Sequence, residues 1–294
     1  MSLFDVPSWL KPHFYSGRKF KDLTPSEISD LKERLNRYQS DNPEVSIIIP
    51  AWNEENNIFK TLSSLASNNT DRNVEIIVIN NNSSDGTQDV LDALQVKSFF
   101  QEEQGISHAR QLGLLKARGK FHLCADSDTF YPPSWIDAMV SPLDEPNGCV
   151  GVYGRYSFIP APGANRIALS IYEAITGALI RLRKYKREHL NVLGFNMGFV
   201  TACGIDNGGF EVNKVRKFDN AKGSHQFVEE SEDGRMALNL KKTGRLCLIK
   251  NNEARVYTSS RRLVAEGGLF QAFKSRVLLH SNKIGEYIKG AEVK

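Results

Sequence analysis

Apolar runs recur through the first half of the chain, and each one ends in a polar cluster. Val45–Pro50 (VSIIIP), Val74–Asn80 (VEIIVIN) and Phe121–Ala125 are nearly continuous in their apolar character, and Val96–Phe100 is a shorter strand between the last two. Runs of this length without strict alternation are the pattern of strands buried on both faces. Helical spacing fills the gaps between them. Asn53 is placed to cap a helix that begins with Glu54 and Glu55 and carries Ile58, Leu62 and Leu65 on one face. Val90, Leu91 and Leu94 mark a second helix, and Ser107 opens a third through Ala109, Leu112 and Leu115 that ends at Gly119. Strands alternating with helices predict βαβ units, and therefore an α/β fold with a mostly parallel sheet covered on both faces.

The flanks read differently. Thr24-Pro25-Ser26-Glu27 is a helix start, with Ile28, Leu31, Leu35 and Tyr38 on one face and Asn42-Pro43 as its end. After Pro133 the pattern predicts helices around Trp135–Val140, over 166–184 and from Ser231 to Leu240. It predicts strands at Cys149–Tyr153, Leu246–Ile249 and Arg255–Tyr257. Residues 211–230 are polar and lack periodicity, as in a lid, and a basic helical tail follows Arg261. The expected division is an N-terminal helical extension (1–44), the α/β domain (45–260) and a C-terminal helical tail (261–294).

In a parallel sheet the ends of the strands line one edge, and ligands bind in the crevice outside it. Three polar clusters fall there: Trp52-Asn53-Glu54-Glu55, Asn82-Ser83-Ser84-Asp85 and Asp126-Ser127-Asp128. Capping alone explains any one cluster more easily than it explains all three. If the extended geometry continues, Asp126 and Asp128 project to the same side. Like charges so close call for a cation between them. All-oxygen donors suit Mg²⁺ or Mn²⁺, which commonly take one or two carboxylates together with substrate phosphates.

Composition narrows the function classes. The chain has 294 residues and a net charge of +4, too mild to argue for nucleic acid. The charge is uneven, with ten Lys/Arg against four Asp/Glu from Arg245 onward and a basic run at Arg181–Arg187. These surfaces suit phosphates or peripheral contact with an anionic membrane. Cys124, Cys149, Cys203 and Cys247 are widely spaced without a CxxC pair, which predicts buried free thiols in a reducing compartment. There is no secretory signal pattern and no run near 18 apolar residues. A cytoplasmic protein, peripheral at the inner face of the membrane, is the expectation.

Six segments occur in an order that resembles family 2 glycosyltransferases of the GT-A fold. They are SIIIPAWNEENNI, INNNSSDGT, GISHARQLGLLKARGKFHLCADSDTFYPPSW, GFNMGF, SEDGRMALNLKKTG and TSSRR, and they span roughly residues 45–265. The resemblance implies an inverting transfer of a sugar from a nucleoside-diphosphate sugar, a UDP-sugar in preference, to a hydroxyl of a glycan or lipid-linked glycan. It implies that Pro50, Asn53, Glu55 and Asp85 line the base and ribose and that Arg110 approaches the nucleotide. Asp126 would touch the ribose or donor sugar and, with Asp128, serve the metal. Asn196 would lie near the donor sugar or acceptor, and Arg261 and Arg262 would close over the diphosphate. Asp233, with Glu232 beside it, would be the catalytic base, although Glu229 and Glu230 crowd the same stretch. Thr129, Gln111, Val200 and Thr201 depart from the residues common in the family at those places.

The chemistry is coherent without the family. A departing diphosphate accumulates charge, which a divalent cation and arginines stabilise where it develops. Single inversion needs only a base for the acceptor hydroxyl, contributing about 10²–10⁴ in rate. A sugar-phosphate nucleotidylyltransferase would carry a Gly-rich phosphate loop after the first strand, where this chain has Ala51-Trp52-Asn53-Glu54. A non-catalytic nucleotide-sugar-binding scaffold and a membrane-surface module are the other readings that composition allows.

Overall fold

The computed structural model describes residues 6–160, 166–184, 186–211 and 231–261. Seven strands form the main sheet in the order β3-β2-β1-β4-β8-β6-β9. They are β1 (Val45–Ala51), β2 (Val74–Asn80), β3 (Ser98–Phe100), β4 (Phe121–Cys124), β6 (Cys149–Gly154), β8 (Met197–Val200) and β9 (Arg245–Ile249). Every position of β1 and β2 is buried, as their unbroken apolar runs require. Only β8 runs antiparallel to its neighbours β4 and β6. A second, smaller sheet has the order β5-β10-β7, from Thr129–Phe130, Val256–Ser259 and Tyr156–Ile159.

Alternate residues of β1 feed two cores. Ile47 and Ile49 pack with Leu62 and Leu65 of α2 (Ile58–Leu65), Leu91 of α3 (Thr87–Ala93) and Trp135 and Met139 of α5 (Trp135–Asp144). Ile48 joins Ile77, Ile79 and Ala109 of α4 (Ile106–Lys116) on the opposite face. Gly113 lets α4 lie close, since a Cβ there would collide with the Ile48 side chain. Helices therefore cover both faces, and the strand ends are left free at one edge.

The N-terminal extension is built into this core. α1 (Pro25–Asn36) starts with the expected capping box between Thr24 and Glu27. Leu31, Leu35 and Tyr38 are at most 2% exposed in the same cluster as Ile47. Burial of each leucine is worth about 1.5–3 kcal/mol, so α1 is held by packing rather than by its propensity. Ahead of it, Trp9 packs edge-on against Tyr257 of β10, and Phe14 does so against Phe130 of β5. The extension thus braces the small sheet.

Two sequence expectations fail here. Asn53 does not cap a helix: its φ is +54°, and α2 begins only at Ile58. Residues 53–55 are instead tied to the loop after β2, a non-local pull that helical spacing cannot register. Nor are all four cysteines free. Cys149 and Cys247 are joined as a disulfide across the paired strands β6 and β9, with Cα atoms 6.2 Å apart and 98 residues between them in sequence. Cys124 and Cys203 are free, as expected. The lid proposed over 211–230 falls almost wholly outside the described residues, as does the tail beyond Arg261.

Candidate active site

The predicted clusters converge at the ends of β1, β2 and β4. The first two loops are bound to each other. The Ser84 N–H donates to Asn53 Oδ1 (2.8 Å), and the Asn53 N–H donates to Ser83 Oγ (3.0 Å). The Glu55 N–H reaches Asp85 Oδ2 (3.2 Å), while Glu55 Oε2 accepts from the Gly86 N–H (3.0 Å). Pro50 lies in β1, one register step before the Ala51–Asn80 pair. Asn53, Glu55 and Asp85 are thus brought together at one sheet edge, their side-chain oxygens accepting from backbone amides, while Pro50 lies buried within β1.

The two aspartates after β4 diverge. The strand stops at Cys124, and residues 127 and 128 form a turn, so the extended geometry does not continue. Each carboxylate takes its own cation. Arg110 Nη2 donates to Asp126 Oδ1 at 2.9 Å, and Arg261 Nη2 donates to Asp128 Oδ2 at 3.0 Å. The two arginines come from α4 and from just beyond β10. The Asp126 N–H donates to the Tyr131 hydroxyl (2.8 Å), which donates in turn to the Phe195 carbonyl (3.1 Å). Burial, then the Asp126 charge, pushes the Tyr131 hydroxyl well up, so it stays a neutral brace.

Arg110 is 4% exposed and faces three acids. Besides Asp126, its Nε lies 3.5 Å from Asp233 Oδ1 and 4.0 Å from Glu232 Oε1. Nη1 donates to the Gly194 carbonyl at 3.1 Å. Burial opposes the guanidinium charge, but Asp233 and Asp126 raise its pKa on balance. Asp233 stands in the first turn of α8 (Glu232–Leu240), which Ser231 caps. Its carboxyl is pushed up to about 7, chiefly by burial and then by Glu232, against the pull of Arg110.

Asn196 is placed differently from expectation. It is 1% exposed, and its amide is engaged in the interior. The Trp135 Nε1–H donates to its Oδ1 (2.9 Å), and its Nδ2 donates to the carbonyls of Arg155 (2.9 Å) and Ala254 (2.8 Å). It ties α5 to the segments leading to the small sheet and does not face the cleft. Arg262, Glu229 and Glu230 lie outside the described residues. The departures acquire structural reasons. Thr129 Oγ1 donates to Thr258 Oγ1 (2.9 Å) and joins β5 to β10, Gln111 Oε1 accepts from the Phe210 N–H (2.8 Å), and Thr201 Oγ1 donates to the Gly119 carbonyl (2.6 Å).

Sequence reasoning missed Glu54, Tyr131 and Gly194. Glu54 Oε1 and Oε2 accept from Arg261 Nη2 at 2.9 and 3.2 Å. Burial and then the Asp128 charge raise the pKa of its carboxyl, against the opposing pull of Arg261. A Cβ on Gly194 would collide with Arg110 Nη2 and Asp233 Oδ1, so this glycine allows the two to meet. Glu54 lay inside a polar cluster already singled out. A tyrosine just after the paired aspartates was the available signal for Tyr131, and nothing local marked Gly194.

Comparison with known proteins bears on the family and the fold. The family model described as glycosyl transferase family 2 matches residues 46–205. Glycosyltransferase GlyA of Streptococcus pneumoniae is 27% identical over 124 residues, covering 40% of this chain and 18% of that protein. Dolichol-phosphate mannosyltransferase of Mycosarcoma maydis is 31% identical over 117 residues, covering 36% of this chain and 40% of that protein. The matched stretch thus spans less than half the length of either relative. Among solved structures, the mannosyltransferase PcManGT of Pyrobaculum calidifontis, in complex with GDP-Man and Mn²⁺, aligns with a TM-score of 0.53 and 16% identity over 92% of this chain and 74% of that one. S. aureus TarS 1–349 in complex with UDP aligns with a TM-score of 0.53 and 17% identity over 83% of this chain and 70% of that one. The fold is that of the GT-A glycosyltransferases. With more than half of its length matched by the family model, this chain belongs to glycosyl transferase family 2.

Proposed function

We propose that the chain transfers a sugar, with inversion, from a nucleoside-diphosphate sugar to a hydroxyl of a glycan or lipid-linked glycan. The observation that carries this reading is the convergence of Asp126, Asp128, Arg110 and Asp233 at one sheet edge. The loops of Asn53–Glu55 and Ser83–Asp85 form the wall for base and ribose. Asp233 takes the proton of the acceptor hydroxyl as its oxygen bonds to the anomeric carbon and the bond to the diphosphate breaks. Arg110, fixed by Asp126 and the Gly194 carbonyl, aims Asp233 and keeps its charged form accessible near neutral pH.

The donor set fits a hard divalent cation. Among the described residues no three His, Cys, Asp or Glu side chains converge as a closed site. Asp128, with Asp126 nearby, would hold Mn²⁺ or Mg²⁺, and the donor diphosphate would complete the ligands. The chemistry such an ion supplies is neutralisation of charge on the leaving diphosphate. Arg261, already at Asp128, adds a second positive group there.

UDP is the favoured nucleotide, since UDP accompanies one of the similar folds, although GDP-Man accompanies another. The likeness to a dolichol-phosphate mannosyltransferase supports a lipid-linked acceptor. Exposed Arg181, Lys184 and Lys186, at and just past the end of α6 (Arg166–Arg183), suit peripheral contact with an anionic membrane. No helix among the described residues is long and apolar enough to cross one. The test is nucleoside diphosphate release from UDP-glucose and GDP-mannose with Mn²⁺ and a panel of glycan acceptors. Acceptor-dependent release with an inverted product linkage supports the reading, and no release from any donor contradicts it.

A further inference from the structure

Arg261 occupies a position of consequence. Its Nη2 donates to both carboxylate oxygens of Glu54 (2.9 and 3.2 Å) and to Asp128 Oδ2 (3.0 Å). The two acids come from different strand ends, and their side chains are only 16% and 17% exposed, whereas Arg261 is 50% exposed. Two poorly hydrated carboxylates facing one another need a cation between them. The fold supplies one from far along the chain. Antiparallel pairing sets Thr258 opposite Thr129, so the chain leaves β10 beside Asp128 and reaches it with Arg261.

The two acids are not equivalent. Glu54 is anchored, since its N–H donates to Thr87 Oγ1 (2.8 Å) and its Oε2 accepts from Asn57 Nδ2 (2.6 Å). Arg261, half exposed on a long side chain, can turn while β10 stays in register. An arginine fork also matches the geometry of a phosphate.

We propose that Arg261 is a placeholder cation that neutralises Glu54 and Asp128 in the free protein and yields Asp128 to a divalent ion, and that Glu54 is the positioning residue that then keeps it beside the donor diphosphate. The inference rests on the reading of Asp128 as a metal-binding residue. It gives one substitution two effects of opposite sign. Arg261→Ala removes the competitor for Asp128 and so tightens binding of the metal alone, while it weakens binding of UDP with the metal.

The experiment is titration of the full chain with Mn²⁺ by electron paramagnetic resonance, first without nucleotide and then with UDP, for wild type, R261A, R261K, E54Q, E54Q/R261A and D128A. R261A is expected to bind Mn²⁺ alone about two- to fivefold more tightly, the range that one exposed ion pair commands, and to bind UDP–Mn²⁺ more weakly. R261K, which keeps the charge without the fork, falls between wild type and R261A. E54Q weakens UDP–Mn²⁺ binding, and adding it to R261A weakens it no further. Equal or weaker Mn²⁺ binding by R261A, with D128A still abolishing it, would overturn the placeholder role and leave the metal site standing. No Mn²⁺ binding by any variant, with or without UDP, would overturn both.

Discussion

Arg110 Nε lies 3.5 Å from Asp233 Oδ1, and neither atom has a hydrogen-bond partner among the described residues. Two opposite charges are thus buried side by side, with Arg110 fixed through Asp126 and the Gly194 carbonyl rather than through Asp233. A salt bridge built only for stability would close that gap. Arg110 tempers the cost of the Asp233 charge, and in the proposed reading this oxygen is the one that takes the acceptor proton.

The pH dependence follows from Asp233. Its carboxyl titrates at about 7, so kcat/KM is expected to rise about tenfold per unit of pH below that value and to level above it. Stability runs the other way. A folded pKa raised above 3.8 favours the protonated form, so this contribution is full below about 4 and is lost as pH rises through 7. Asp233→Asn is expected to lower kcat by about 10²–10⁴ and to remove this slope from thermal melts taken across pH 4–8.

Asp126 and Asp128 are expected to separate on substitution. Asp126→Ala leaves Arg110, 4% exposed, without its hydrogen-bonded acid, at a cost of about 3 kcal/mol in urea unfolding. Asp128→Ala leaves an arginine that is 50% exposed and still paired with Glu54, at a cost below about 1 kcal/mol. Equal costs would contradict the division between a buried brace and an open ligand.

Gly194→Ala tests the meeting of Arg110 and Asp233. The new methyl would overlap both groups, forcing a shift worth about 1–3 kcal/mol. Transfer activity is expected to fall at least about a hundredfold, as misplacement of a catalytic group by an ångström can cost that much. Nucleotide affinity, which the proposed reading assigns to the loops around Asn53 and Asp85, is expected to change little.

Asn196→Ala is expected to act on stability instead. It strands the Trp135 N–H and two carbonyls in the interior, a loss of about 3 kcal/mol. A preserved Kd for UDP–Mn²⁺ in the folded variant would separate its bracing role from donor contact.

These expectations also mark what the sequence could reveal. The strands of the parallel half were legible because β1 and β2 are buried on both faces, which demands unbroken apolar runs. The edge where the polar clusters gather followed from their order, and the Asp-Ser-Asp cluster from its position at a strand end. What stayed hidden was long-range. Arg110 and Arg261 lie 16 and 133 residues from the aspartates they pair with. Glu54 looked like the first turn of a helix, because an acid after Asn53 has that local pattern whether or not a distant loop claims the backbone. Asn196 sits in a motif of small and amide residues, yet only the packing of Trp135 reveals that its side chain points inward. The Cys149–Cys247 pair is a product of strand order in the second half of the sheet, where no local spacing announces the neighbours.

The measurement that bears most directly on the account is a calorimetric titration of UDP-sugars and GDP-sugars, with and without Mn²⁺, on wild type and Asp128→Ala. The account predicts that one nucleotide class binds, that binding requires Mn²⁺ and that Asp128→Ala abolishes it in a protein that still melts cooperatively. Failure of every nucleotide sugar to bind, or binding indifferent to both Mn²⁺ and Asp128, would contradict it.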